Sequence, residues 1–454
     1  MAPSGAEKRV AVIGGGIAGL AVAYYLGRAG VPVDLFEAEA ETGGLAGSFD
    51  FEGLRVERYF HFICLPDREL KDLARELQIA DRLVWRRTRT NFFYQGRFHG
   101  FTSPLDLLRF SPIPLWSRVN LGLETLKWSR LQDWEKLDEV PARDWLIERL
   151  GREAYEVIWS PLLTFKFGEF HDRVSAAWIW HRVHRVAKSR KSPLHPQVMG
   201  YFEGGTETLL RALREAIAAR SGRIFTGTPA RAVLSRDGRA RGVRAGEEER
   251  EYQAVVMAAP LPQAAALLPA ELAEYRRALE AVQFLGVVCL VLWLDQGVSR
   301  SFWCNIHDSR LPLNGLIEMS ALNPATGRGG SLIYVPYYLP VQAPRFGFSD
   351  QEIVEEALQT LAVLKPGLSR RSVKAARVFR SRYAQAVCTV GFRRVQPPHV
   401  APLPGLYLID STQLYPSDRT LSGTIGLAQK VSRLVQEKIK ADVKKEPGPA
   451  RPRG

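Results

Sequence analysis

Gly14-Gly15-Gly16-Ile17-Ala18-Gly19 follows a short, largely apolar run, Arg9 to Ile13, and leads into a helical pattern through Leu20, Ala23, Tyr24 and Leu26 to Gly30. Glycines at this spacing allow a tight turn at Gly14, close approach of backbone to a pyrophosphate at Gly16, and packing of helix on strand at Gly19. The pyrophosphate would rest on the helix N-terminus at Ile17 and Ala18, where unpaired N–H groups and the helix dipole favour negative charge. A second strand, Val33 to Phe36, ends at Glu37 and Ala38, with Glu37 eighteen residues beyond Gly19. A carboxylate there accepts from ribose hydroxyls, which completes a dinucleotide-binding signature. The competing explanation is a glycine turn of purely structural use.

Six residues after Glu37 stands a second glycine-rich stretch, Gly43-Gly44-Leu45-Ala46-Gly47-Ser48. With this pair of motifs the chain resembles the flavoprotein superfamily that holds amine oxidases, protoporphyrinogen oxidases and phytoene-type carotenoid desaturases. The resemblance implies a bound FAD, expected to be held non-covalently, with Gly43, Gly44, Leu45 and Ala46 running beneath the pyrophosphate and flavin. Leu45 stands where many members have arginine, so a charged contact is not implied there. Near the C-terminal end, Gly405-Leu406-Tyr407-Leu408-Ile409-Asp410 reads as a buried strand ending in an acid, and Ser422-Gly423-Thr424-Ile425-Gly426 opens a helix. The resemblance places Asp410 near the ribityl or phosphate region and Thr424 and Ile425 at the pyrimidine edge of the flavin. It also implies adenine contact through the backbone of Val233, and a polar group at the ring from His61, the single catalytic candidate. Cys388 lies upstream of the closing segment, but its surroundings lack the motif of a flavin-tethering cysteine.

These islands must be positioned by an α/β fold: a Rossmann-type FAD-binding domain of the glutathione-reductase-like, amine oxidase kind, with an inserted α+β substrate domain. The expected division gives 1–84, 197–271 and 397–437 to the FAD-binding domain, and 85–196 and 272–396 to the substrate domain. The first insertion reads mostly helical. The second carries strands at Phe284 to Leu294 and Ser331 to Val335, and a helix from Asp350 to Leu364. Residues 438–454, rich in Lys, Pro and Gly, lack periodicity and read as a disordered tail.

Flavin chemistry needs a substrate bond held over N5 with water excluded, and the cofactor supplies the electronics. The expected activity is therefore hydride transfer by a dehydrogenase, desaturase or oxidase. No second GxGxxG follows a strand, so electrons would leave to oxygen, a quinone or another acceptor, a choice the sequence leaves open. Amine oxidases of the superfamily commonly use a lysine from the second insertion, yet no lysine lies between Lys191 and Lys365. That favours a large apolar or amphipathic substrate. Two alternatives stay open: a flavin-dependent isomerase or mutase without net redox, similar to UDP-galactopyranose mutase, and a non-catalytic flavin-bound adaptor.

The 454 residues carry 62 Lys and Arg against 48 Asp and Glu, a net charge of +14, which favours anionic partners. No recognised nucleic-acid motif accompanies the charge, so nucleic acid is not expected. Four dispersed cysteines (Cys64, Cys289, Cys304, Cys388) signal neither a disulfide framework nor a metal site, and fit a reducing, cytoplasmic compartment. Leu105, Leu107, Leu108, Phe110, Ile113, Leu115, Trp116, Leu121, Leu123, Leu126 and Trp128 mix with Arg109, Arg118, Lys127 and Arg130. This mixture predicts peripheral contact with an anionic membrane, at its inner face, or else a plain core stripe. Arg182, Arg185, Lys188, Arg190 and Lys191 form a basic cluster that reads as a solvated face or as a site for a headgroup or acidic substrate.

Overall fold

Val10–Ile13 is β-branched at three of four positions and wholly buried, the pattern of a strand covered on both faces of a parallel sheet. It occupies the centre of a five-stranded sheet in the order Arg223–Phe225, Val33–Phe36, Val10–Ile13, Ala254–Met257 and Leu406–Leu408. Every pairing in that sheet is parallel, so each connection must be a crossover. The computed structural model describes residues 9–190, 195, 197–308 and 310–445. Helices Ile17–Arg28, Thr206–Ala218 and Leu421–Lys445 share one core with Val10, Val12 and Leu35 of the sheet. The buried carboxylate of Asp34 fastens the first strands, accepting from Arg9 at 2.7 Å, from Arg223 at 2.7 Å and from the Tyr252 hydroxyl at 2.8 Å.

A seven-stranded sheet forms the second unit, in the order Val373–Ala386, Phe284–Leu294, Ser331–Pro340, Gly315–Glu318, Trp303–Ile306, Thr90–Tyr94 and Arg97–Gly100. Phe284–Leu294 is its apolar spine, paired antiparallel on both sides. Helix Asp350–Leu364, opened by the Ser349/Glu352 capping box, covers one face of this sheet and spans the residues its periodicity predicts. The segment read as mostly helical does contribute helices, among them Leu115–Arg130, Ser160–Phe167 and Ala176–Ala187. It also gives the edge hairpin Thr90–Tyr94 and Arg97–Gly100. The cause is local: Gln95 and Gly96 both take positive φ, the two-residue turn that matches strand twist, between aromatic strand formers.

The last helix runs to Lys445, past the point where the tail is expected to lose structure. Asp442 anchors that extension by ion pairs with Arg239 and, at 4.0 Å, with Lys438. Residues 446–454 of the expected tail lie outside the described residues. Among the described residues no helix is long and apolar enough to cross a membrane.

Candidate functional site

The glycine turn sits at the C-terminal end of the central strand. Gly14 has φ +105° and a Cβ there would stand 2.4 Å from the Ala258 carbonyl oxygen, while a Cβ on Gly19 would stand 1.9 Å from that of Gly14. Both positions are closed to any side chain. Gly16 differs, because a Cβ built on it would meet nothing within 4 Å. Its φ is ordinary, so neither backbone strain nor protein packing demands glycine there, and the open space lies where a pyrophosphate would approach. Gly16 precedes helix Ile17–Arg28, whose first turn has no side-chain cap and no acidic residue. Ile17 and Ala18 stay partly exposed at that end.

Glu37 accepts the Gly15 N–H at 2.6 Å and the Glu39 N–H at 2.8 Å. Its carboxylate thus fixes the turn with one oxygen and its own loop with the other, and Ala38 beside it is exposed. The two glycine motifs come together directly: the Gly43 N–H donates to the Gly15 carbonyl at 2.8 Å, and Gly16 bridges Gly43. Gly44 is exposed and Leu45 partly so, while Ala46 is buried with its carbonyl taking the Thr206 hydroxyl at 2.7 Å.

His61 lies deep in the molecule, and its Nδ1 is buried without a hydrogen-bond partner among the described residues. Burial, reinforced by the Arg419 charge, pushes its pKa down to about 4, so the ring is neutral at pH 7. Burial raises the Asp410 carboxyl above the usual range, opposed by the Thr412 N–H at 2.8 Å. Thr424 and Ile425 fall in the first turns of the last helix. The Thr424 N–H is taken by the Thr420 carbonyl at 3.0 Å, and the Ile425 side chain is core.

Val233 has its backbone N–H already engaged. Its N–H donates to the Leu267 carbonyl at 2.8 Å, and its side chain belongs to the large core cluster. The backbone that runs beside Glu37 is instead Gly227 and Thr228, whose N–H groups donate to Glu39 and Glu37, each at 2.8 Å.

Facing Leu45 is an aromatic wall in which Phe60, Phe62, Trp303, Tyr338 and Phe379 keep part of their surface open over a buried layer including Tyr59, Phe302 and Tyr334. Sequence reasoning missed a second feature, Lys166, because it sought a lysine only in the later insertion. Lys166 is 6% exposed and stands over the rings of Phe167, Trp178 and Tyr338. A lone lysine within Leu162-Leu163-Thr164-Phe165-Lys166-Phe167 was the available signal.

The basic cluster is largely spoken for. Arg182 pairs with Asp418 at 3.1 Å, Arg185 pairs with Asp67 at 3.0 Å, and Arg190 donates to the Thr102 carbonyl. These three arginines each have a partner within the protein; Lys188 is exposed, and Lys191 lies outside the described residues. The apolar stripe divides. Phe110, Ile113, Leu121 and Trp128 are core, whereas Leu105, Leu108, Leu115, Trp116, Leu123 and Leu126 are exposed.

Known proteins bear on this geometry. The sequence profile of the family described as flavin containing amine oxidoreductase matches residues 17–416. A 15-cis-phytoene desaturase of Synechococcus elongatus is 25% identical over 319 residues, covering 63% of this chain and 66% of the relative, slightly under two thirds of its length. The 15-cis-phytoene desaturase of Solanum lycopersicum is 22% identical over 436 residues, covering 88% of this chain and 72% of its own. The crystal structure of a reduced UDP-galactopyranose mutase superposes with a TM-score of 0.73 at 14% identity, covering 95% of this chain and 96% of that one, which is a likeness of fold.

Proposed function

Since the chain belongs to the flavin containing amine oxidoreductase family, we propose that it is an FAD-dependent dehydrogenase acting on an apolar or amphipathic substrate. The observation that carries this reading is the paired glycine cradle, open at Gly16 and followed by the unpartnered Nδ1 of His61. Both features fit a flavin dinucleotide: the empty Cβ position of Gly16 admits a pyrophosphate, and a buried polar atom without a partner is costly unless something else meets it. Glu37 would hold the ribose hydroxyls, the first turn at Ile17 the pyrophosphate, and Leu45 and His61 the ring. The bound flavin supplies a hydride acceptor. Around it the chain's own groups orient and dry the substrate: the aromatic wall from Phe60 to Phe379 offers an apolar body its surface, and neutral His61 offers a hydrogen bond without charge. Non-covalent attachment is supported by Cys388, which is buried with its thiol pKa pushed up by burial and so is a poor nucleophile. The purified chain is expected to be yellow and to release FAD, not FMN, on heating. Anaerobic bleaching across a panel of isoprenoids, porphyrinogens and amines identifies the substrate class; no bleaching with any substrate would leave the adaptor reading.

The mutase-like fold favours one second reading, isomerisation without net electron transfer. Steady consumption of an electron acceptor in step with product formation selects the dehydrogenase; product without acceptor consumption selects the isomerase.

The substrate would be met at an anionic membrane surface. Helix Leu115–Arg130 buries Ser117 and Glu124 beside Leu121 and Trp128, while Leu115, Trp116, Val119, Leu123 and Leu126 face outward. Arg109, Lys127 and Arg130 are exposed along the same stretch, and no acidic side chain is exposed between Pro104 and Arg130. Apolar residues rimmed only by cations suit the interface of an anionic bilayer, which supports peripheral contact there.

A further inference from the structure

Lys166 closes helix Ser160–Phe167 with its ammonium inside the protein, 4.8 Å from the ring centre of Trp178, 4.9 Å from that of Tyr338 and 5.8 Å from that of Phe167. Among the described residues no carboxylate pairs with it and no acceptor takes a hydrogen bond from it. The charges that act on it are Asp418, Arg182 and Arg419. Asp418 is already committed to Arg182 at 3.1 Å, and Arg419 spends a donor on the Ala384 carbonyl. Lys166, which is buried, and Arg419, which is partly buried, are therefore left without a carboxylate of their own. Burying an uncompensated charge is costly, so the ammonium of Lys166 is poised to take an anion from outside.

The location is specific. Asp418 and Arg419 lead into helix Leu421–Lys445, and the Arg419 charge also acts on His61 and Asp410, which ties the cluster to the flavin cradle. Asp418 keeps 21% of its side chain exposed and Tyr338 is partly exposed, so the cluster faces open space on that side. Resting on the dehydrogenase reading above, we infer that this space receives the anionic head, a carboxylate or phosphate, of an otherwise apolar substrate, with Lys166 as its direct partner. Trp178 and Tyr338 flank the head, and the aromatic wall takes the body. Arg182 acts as a positioning residue that keeps Asp418 from neutralising Lys166.

Calorimetric titration of the flavin-loaded full chain with decanoate, decyl phosphate and decanol tests this. One of the two anions should bind one-to-one about tenfold or more tighter than decanol, since a hydrogen bond to a charged group is worth about 1.5 to 3 kcal/mol. Lys166→Met should abolish that preference while decanol affinity and flavin content stay unchanged, and Lys166→Arg should restore part of it. Preference for decanoate over decyl phosphate, or the reverse, tells carboxylate from phosphate. Equal binding of decanol, or an anion preference that survives Lys166→Met, overturns the inference; survival would place the anion elsewhere, such as at the rim of the exposed apolar face. Loss of flavin in Lys166→Met with anion binding intact also overturns it, by assigning Lys166 to the cofactor. Should Lys166→Met fail to fold, the unmodified chain still decides: anion affinity must fall as pH rises through the titration of Lys166, and a flat profile refutes it. Anion binding lost with Lys166 but no bleaching by any acidic apolar compound would instead sink the dehydrogenase reading and leave this site standing.

Discussion

Changing Leu115 and Trp116 together to Ser separates a membrane face from a core stripe. Leu115 is 61% and Trp116 59% exposed, so the folded protein has spent less than half of what their burial can return. Complete burial of a large apolar side chain is worth roughly 1.5 to 3 kcal/mol, so insertion of the exposed part of both should return about 2 to 4 kcal/mol. At about 1.4 kcal/mol per decade, the double variant should bind vesicles on the order of a hundredfold more weakly. Cations at the rim add about 1 kcal/mol each near an anionic surface, through Arg109, Lys127 and Arg130, and this part should fade with salt. Sedimentation with vesicles of neutral and anionic lipid at low and high salt reads both contributions. Thermal stability should stay within about 0.5 kcal/mol of the parent, as for other surface changes. Trp128→Ala on the inner face of the same helix, at 4% exposure, should instead cost about 3 to 5 kcal/mol. Unchanged vesicle binding in the double variant, or its unfolding, would refute the assignment of the outer face.

Gly16→Ala should leave the fold intact and lower FAD affinity, because the methyl enters space that only a ligand needs; Gly19→Ala should destabilise the apoprotein as well, its Cβ meeting backbone at 1.9 Å. Thermal melts with and without FAD distinguish the two. Glu37→Ala should weaken FAD retention and also loosen the turn, each by about 1 to 3 kcal/mol, since two backbone N–H groups lose their acceptor. For pH, burial brings Lys166 down to about 8, opposed by Asp418 and aided by Arg182 and Arg419. Between about 8 and the unfolded value near 10.4 the unfolded chain binds more protons, so this group makes stability rise with pH. Lys166→Met should stabilise the protein at neutral pH and flatten that rise, which denaturant melts at pH 7 and 10 would measure.

The cradle was legible because its constraints are local. Steric closure at Gly14 and Gly19, and the apolar runs Val10–Ile13 and Phe284–Leu294, are written in residue types at fixed spacing. Val233 was less legible because a backbone contact leaves no mark on side-chain identity; that its N–H is taken depends on Leu267, thirty-four residues away. Lys166 was not legible for a related reason. Its cage is assembled from Phe167 and Trp178 on two helices and Tyr338 on a distant strand, which no spacing in the chain connects. The stripe from Leu105 to Trp128 hid two faces, since a helix that buries Ser117 and Glu124 departs from the usual inward placement of its apolar residues.

That outward apolar face and the buried lysine point to the same kind of molecule. A substrate with one anionic head and a long apolar body is an amphiphile, and such molecules reside at the surface of a bilayer. A helix with leucines outward and cations at its rim would bring the site to that surface. Transfer into an interior that offers Lys166 for the head and aromatic faces for the body would then exchange one amphipathic environment for another. The cost of withdrawing the body from lipid must be returned by the wall, and that of desolvating the head by the unpaired cations. If so, substrates lacking the acid should lose affinity at Lys166 without losing access to the membrane. Vesicle-delivered decanol should then reach the protein yet bind it more weakly than vesicle-delivered decanoate, and equal binding of the two would overturn the assignment of Lys166 to the head while leaving the membrane face standing.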